Sequence, residues 1–129
     1  MDTVSEFLTR VRNAGASKHE KVDVPSSRFR AGLANILAES GYIRSYKVAK
    51  DSKQGIMRVY LKYHESGEHA ISTIKRVSRP GRRVYVKADE IPVVLSGLGL
   101  TILSTSQGLL SGSEAKKRNL GGELICKIW

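Results

Sequence analysis

The sequence predicts an α+β fold made of two small packed α/β domains. Residues 1–64 read as helix–strand–helix–hairpin, and residues 65–129 as mainly antiparallel β with one short helix. Three observations carry this expectation. Helical spacing of apolar residues is concentrated in the first half, apolar/polar alternation dominates from residue 42 onward, and a polar, glycine-containing stretch, "HESGEHA" (64–70), separates the two. A chain of 129 residues holds one ordinary domain or two small ones. Halves of about 65 residues would each be marginal alone and would gain by packing on each other.

The elements follow in order. Val4, Phe7, Leu8 and Val11 hold the i, i+3, i+4, i+7 spacing of an amphipathic helix, which Asp2 or Thr3 can cap and Gly15 can end. "EKVDV" (20–24) alternates as a short strand does and Pro25 stops it. Ser26 or Ser27 can cap a second helix that buries Phe29, Leu33, Ile36 and Leu37 and ends at Gly41. "YIRSYKVAK" (42–50), "DSKQG" and "IMRVYLKY" (56–63) read as a β-hairpin, with Met57, Val59, Leu61 and Tyr63 on one face and Arg58, Tyr60 and Lys62 on the other. In the second half, Pro80-Gly81 signals a turn after "ISTIKRVS". "RRVYVK" then points Val84 and Val86 inward and Arg83, Tyr85 and Lys87 outward, repeating the Arg-Val-Tyr-apolar-Lys order of 58–62. "LTILS" (100–104) is another strand. Ser111 and Glu114 form a capping box for a short helix ending at Gly121-Gly122, and "ELICKIW" (123–129) alternates as the last strand.

Charge narrows the function. Lys and Arg number 22 against 12 Asp and Glu, a formal +10, and both halves are basic: 12 against 6 in residues 1–64, and 10 against 6 in the rest. This exceeds the net charge of about 2–8 that solubility alone calls for and points to a polyanion. From Ile71 to Ala88 six basic residues (Lys75, Arg76, Arg79, Arg82, Arg83, Lys87) occur with no acid, and Tyr85 lies among them. Cations with an interleaved aromatic suit phosphate contact plus base stacking. Lys116, Lys117 and Arg118 say less, because cations belong at a helix C-terminus anyway. The single cysteine, Cys126, excludes a disulfide within the chain and reads as a buried, inert thiol. The acidic N-terminal segment does not resemble a secretory signal, and Ile91–Leu103 is too short and too broken by Pro, Ser and Gly to span a bilayer. The expectation is therefore a cytoplasmic protein without a membrane partner.

Against that charge stands a neutral triplet, Ser104-Thr105-Ser106, delivered by an apolar run and followed by Gly108. Three chemistries could use it. A nucleophile elbow needs Gly two residues before and after the serine, yet Ser104 occupies the first position around Ser106. The histidines are distant in sequence, His64 and His69 lying in the polar stretch. A phosphate loop needs a Gly-Lys pair that the chain lacks, and "GLGLTI" runs into a strand where a dinucleotide fingerprint opens a helix. His64, His69 and Cys126 have no metal-ligand spacing. No catalytic residue, metal site, cofactor or small-molecule substrate is expected. What remains is close contact with RNA. Small hydroxyls donate and accept, so they suit 2′-OH groups and base edges, and their lack of bulk lets the backbone approach. An ordinary polar turn is the competing account of the triplet.

"RPGRRVYV", "GLGLTILSTSQG", "EAKKRNLGGELICKIW", "FLTRVRNA" and "VPSSRF…ILAESGYI" together resemble bacterial small-subunit ribosomal protein eight over essentially the whole chain. The resemblance implies two α/β domains packed together. It also implies binding to a helix with an irregular internal loop in the central domain of small-subunit ribosomal RNA, an early role in assembly and ordering of the subunit platform. Contacts with ribosomal proteins five and twelve are implied as well and, in some members, translational repression of the protein's own operon. Carried over by position, the RNA-contacting loop falls on Ser104, Thr105, Ser106 and Gly108, with Tyr85, Gly121, Gly122 and Glu123 in neighbouring segments. Arg82, Arg83 and Lys87 join them from the basic stretch. Glu123 is expected either to accept from a base amino group or to hold the hydroxyl loop from behind, the supporting role being favoured. Gln107 departs from the Lys that members commonly carry and removes a charge from the loop.

Overall fold

Thr3–Ala16 forms helix α1 in the computed structural model of the protein, which describes residues 3–49 and 55–129. The expected cap at Asp2 and most of the "DSKQG" connection lie outside these residues. Strand β1 (Lys21–Pro25), helix α2 (Arg28–Glu39) and the hairpin strands β2 (Ile43–Ala49) and β3 (Ile56–Leu61) complete a first unit that extends to Ile71. The strands form an antiparallel sheet in the order β1-β3-β2. Val4, Phe7, Leu8 and Val11 of α1 and Leu33, Ile36 and Leu37 of α2 are buried, as are Val24, Met57, Val59 and Leu61 of the strands. The predicted faces of β3 hold, because Arg58 is exposed while its neighbours in sequence are buried. Ser27 caps α2, its hydroxyl accepting from the Arg30 N–H (3.1 Å). Gly41, at φ +81°, ends the helix with two closing bonds, to the Ala38 and Leu37 carbonyls from Gly41 and Tyr42 N–H.

Gly15 does not end α1. The helix runs to Ala16, and Lys18 takes the left-handed position at φ 60°. Gly15 instead makes room for His69: a Cβ there would overlap the imidazole ring. The stretch 64–70 folds back within the first unit, with Tyr63 and His69 paired as an antiparallel bridge and the Ala70 N–H donated to the Lys62 carbonyl (2.9 Å).

The second unit begins at Ser72. It contains β4 (Ile74–Arg76), β5 (Tyr85–Val86), β6 (Leu100–Thr105), β7 (Gly108–Ser111), helix α3 (Gly112–Lys117) and β8 (Gly122–Ile128). The sheet order is β4-β8-β6-β7, with β5 also paired to β8, and every pairing is antiparallel. Arg79 and Arg82 exchange backbone bonds (3.0 and 2.9 Å) across Pro80-Gly81, the expected turn. Two short 3₁₀ turns, Ala88–Glu90 and Leu95–Gly97, connect β5 to β6.

In the second unit, three details differ from the sequence expectation. Strand β7 was not foreseen, so the hydroxyl triplet lies where β6 turns back in a hairpin. Gly121-Gly122 do not end α3; Asn119 does, at φ 56°, with Asn119 and Leu120 N–H closing on the Lys116 and Ala115 carbonyls (3.1 and 2.9 Å). The alternation of "ELICKIW" breaks, because Leu124, Ile125 and Cys126 are all buried. A register shift between Ile102 and Leu103 leaves Ile125 as the extra residue, a β-bulge. Its carbonyl accepts from Val77 N–H (3.0 Å), Ser78 N–H (3.3 Å) and the Arg76 guanidinium (3.0 Å).

Candidate nucleic-acid interface

Antiparallel register brings separated sequence segments into one line. Ser104 of β6 pairs with Glu123 of β8, Glu123 pairs with Tyr85 of β5, and on the other side Ser104 pairs with Leu109 of β7. The bulge at Ile125 sets this register. Beneath the line, Leu103, Ala115 and Leu124 form a buried cluster packed by Val86, Ile91 and Leu110, which ties α3 to the strands. The site rests on sheet rather than on a free loop.

Gly121 and Gly122 allow the close spacing. A Cβ on Gly122 would overlap the Ser104 carbonyl oxygen and approach the Thr105 Cα to 3.2 Å, and one on Gly121 would stand 3.0 Å from the Lys87 Cα. Their place in the site is to let the β8 backbone pass close to β6 and to Val86-Lys87. Ser78, fully buried and missed in the sequence reading, locks the segment bearing Tyr85. Its hydroxyl accepts from the Val84 N–H (2.9 Å) and donates to the Val84 carbonyl (3.2 Å).

The hydroxyls have unequal roles. Thr105 Oγ1 donates to the Gly108 carbonyl (2.8 Å) and accepts from the Gln107 N–H (3.1 Å), so it builds the turn. Gly108 closes the turn at φ +94°, a backbone geometry that favours glycine. Ser106 and Gln107 are the two exposed residues at the tip, and Ser104 is half-buried on the strand. Tyr85 is 71% exposed, an aromatic ring largely open to solvent at the end of the line. Arg82 and Lys87 are exposed. Arg83 donates from Nη1 to Glu123 Oε2 (3.0 Å), with the Glu123 side chain only 15% exposed. The Glu123 carboxylate thus holds Arg83, and it is the Glu123 backbone that stands behind the hydroxyl hairpin.

At the far side of the turn, Gln107 Oε1 accepts from Arg118 Nη1 (3.0 Å) and Glu114 Oε1 accepts from Arg118 Nε (3.0 Å). Arg118 sits at the end of α3, whose start is capped as expected by Ser111, accepting from the Glu114 N–H (3.3 Å). Burial pushes the Cys126 thiol up to about 12, which keeps it protonated and unreactive at neutral pH. Among the described residues no cluster of His, Cys, Asp and Glu could hold a metal ion, and no helix is long and apolar enough to cross a membrane.

The second unit thus brings a hydroxyl hairpin, an open tyrosine and flanking guanidinium groups together on one antiparallel sheet, an arrangement chemically suited to a polyanion with exposed bases and hydroxyls. The family model described as Ribosomal protein S8 matches residues 2–129. A "Small ribosomal subunit protein uS8" of Bdellovibrio bacteriovorus is 67% identical over 129 residues, covering all of both chains. Proteins of the same name from Geotalea daltonii and Thermodesulfovibrio yellowstonii are 53% and 52% identical over 128 residues, covering 99% of this chain and 97% and 98% of theirs. The chain belongs to the ribosomal protein S8 family, whose members are structural components of the small ribosomal subunit and not enzymes.

Proposed function

We propose that this protein is a primary binder of the central domain of small-subunit ribosomal RNA, acting in the cytoplasm to help order the subunit platform. Recognition uses Ser104, Thr105, Ser106, Gly108, Tyr85, Arg82, Arg83, Lys87, Gly121, Gly122 and Glu123 in distinct roles. Ser104 and Ser106 offer hydroxyls to 2′-OH groups and base edges, Tyr85 offers a stacking face, and Arg82 and Lys87 contact phosphates. Arg83 contributes charge while it neutralises Glu123. Thr105, Gly108, Gly121 and Gly122 set the shape that allows close approach. The observation that carries this reading is the single line Tyr85–Glu123–Ser104 across β5, β8 and β6, which gathers a ring and a hydroxyl beside the turn.

Ribosomal proteins five and twelve are the proposed protein neighbours. An exposed apolar strip in the second unit supports a protein contact, with Val93 at 69%, Leu95 at 55% and Leu98 at 83% exposure on a connection whose Leu95 and Ser96 are held at positive φ. Repression of the protein's own operon follows if its messenger presents the same RNA shape.

Footprinting on full-length small-subunit RNA tests the reading. Localised protection in the central domain is expected, and competition by that fragment should exceed competition by random duplex DNA or anionic vesicles. Protection spread evenly along the RNA, or equal competition by the three polyanions, would reduce the protein to a nonspecific cation. Competition by operon messenger tests the repressor role separately.

A further inference from the structure

Gln107 brings no charge to the tip of the hydroxyl turn, yet a cation is fixed there through space. The Arg118 guanidinium is held on one side by the Gln107 side-chain carbonyl and on another by the Glu114 carboxylate, both at 3.0 Å. The two partners come from different elements, the turn and α3. Each is anchored. Gln107 donates its backbone N–H to Thr105 Oγ1, and Glu114 lies in the capped first turn of α3, which buried Ala115 packs against Leu103 and Leu124.

Of the five N–H groups of the guanidinium, two are engaged and three have no partner among the described residues, while the side chain is 44% exposed. An exposed ion pair of this kind adds little to stability, so stability alone is a weak reason for the arrangement. Immobilising a planar fork before a ligand arrives reduces the entropy lost on binding, and the remaining donors suit a phosphate. Lys116 and Lys117, on the same short helix, offset the Glu114 charge.

We infer that Arg118, oriented by Gln107 and Glu114, is a phosphate-contacting residue of the hydroxyl turn, clamping the RNA backbone as Ser106 meets the nucleotide edge. The inference rests on the turn being an RNA contact. It assigns the turn's charge to α3, which Lys116-Lys117-Arg118 as a plain helix terminus did not suggest.

The test is binding of the central-domain RNA fragment by the full chain at 50 to 200 mM salt. Arg118→Ala should lower the slope of log K against log salt by about 0.7–0.9, which makes binding about threefold less salt-sensitive over that range. Arg118→Lys keeps the charge and should keep the slope. Gln107→Ala should keep the slope and lose affinity about two- to tenfold, the cost of ordering a freed side chain. Added to Arg118→Ala, Gln107→Ala should cost nothing more. Thermal midpoints of each variant report whether α3 is intact. An unchanged slope in Arg118→Ala, with Ser106→Ala impaired, would make Arg118 a mere latch between turn and helix and overturn the inference alone. Loss of base preference at constant slope would make it a base reader and overturn it too. Indifference to both Arg118→Ala and Ser106→Ala would remove the turn from the interface and sink the underlying reading with it.

Discussion

Ser106 and Thr105 are adjacent hydroxyls with different duties, and substitutions should separate them. Ser106→Ala removes one hydrogen bond from an exposed tip and should lower cognate affinity by about 0.5–1.5 kcal/mol, up to about 3 if a partner is left buried and unpaired. Binding to unrelated RNA should hardly change, because that binding is electrostatic. Ser106→Lys should bind cognate RNA less well despite the added charge; tighter binding by this variant would leave the hydroxyl an ordinary turn residue. Gly122→Ala acts through shape. Its methyl group would meet the Ser104 carbonyl, and the backbone must move apart. A loss of about 1–3 kcal/mol in thermal stability is expected, with reduced cognate affinity. The arginines should also divide. Arg82→Ala should remove one phosphate contact from the salt slope, whereas Arg83→Ala should cost more, because it leaves the largely covered Glu123 carboxylate facing RNA. Adding Glu123→Gln to Arg83→Ala should recover that excess in the same titrations. No recovery would mean that Glu123 is indifferent to the RNA.

At the scale of elements, the helix ends show what a sequence rule can and cannot see. Glycine was expected to stop α1 and α3, but Lys18 and Asn119 hold the left-handed positions there. Glycines 15, 121 and 122 serve close approach to His69, Val86 and Ser104, atoms far away in sequence. Only at Gly41 does the glycine stop the helix it follows. Asn119→Val places a β-branched residue at φ 56° and should destabilise the fold by about 1–2 kcal/mol, while Asn119→Gly should be close to neutral in the same denaturation experiment. Strand β7 escaped notice because its four residues are too few for a period to register, and the bulge at Ile125 because three consecutive apolar residues look like part of an alternation that has simply slipped. The caps at Ser27 and Ser111 were legible because they are local chemistry: a side-chain oxygen and an N–H three residues on.

At the scale of the molecule, charge and pH act together on one chain. His69 has its pKa lowered, chiefly by burial and further by the nearby charges of Lys18 and His64, against a partly opposing backbone hydrogen bond with Ile71, and its Nε2 is buried without a partner among the described residues. The folded state therefore resists protonation more than the unfolded chain does. Stability from this residue is present above the unfolded value of about 6.5 and is lost as pH falls below it. Thermal midpoints measured from pH 7.5 to 5.5 should fall, and His69→Phe should flatten that decline. Parallel declines in the two proteins would place the proton uptake elsewhere.

The sequence by itself determined the protein's fold class, its charge and its family. Charge is a sum over residues and needs no fold, alternation and helical spacing are read within a few residues, and the family motifs are contiguous. The expectation of no elbow, phosphate loop or metal set also rests on local spacing. Tertiary structure decided which residues meet. Antiparallel register, fixed by one bulge, set Ser104 opposite Glu123 and Glu123 opposite Tyr85. Packing of α3 on β6 and β8 brought Arg118 to Gln107, eleven residues away along the chain and on a different element. Such pairings depend on where a strand stops and which neighbour it joins, and no short window of sequence contains both partners.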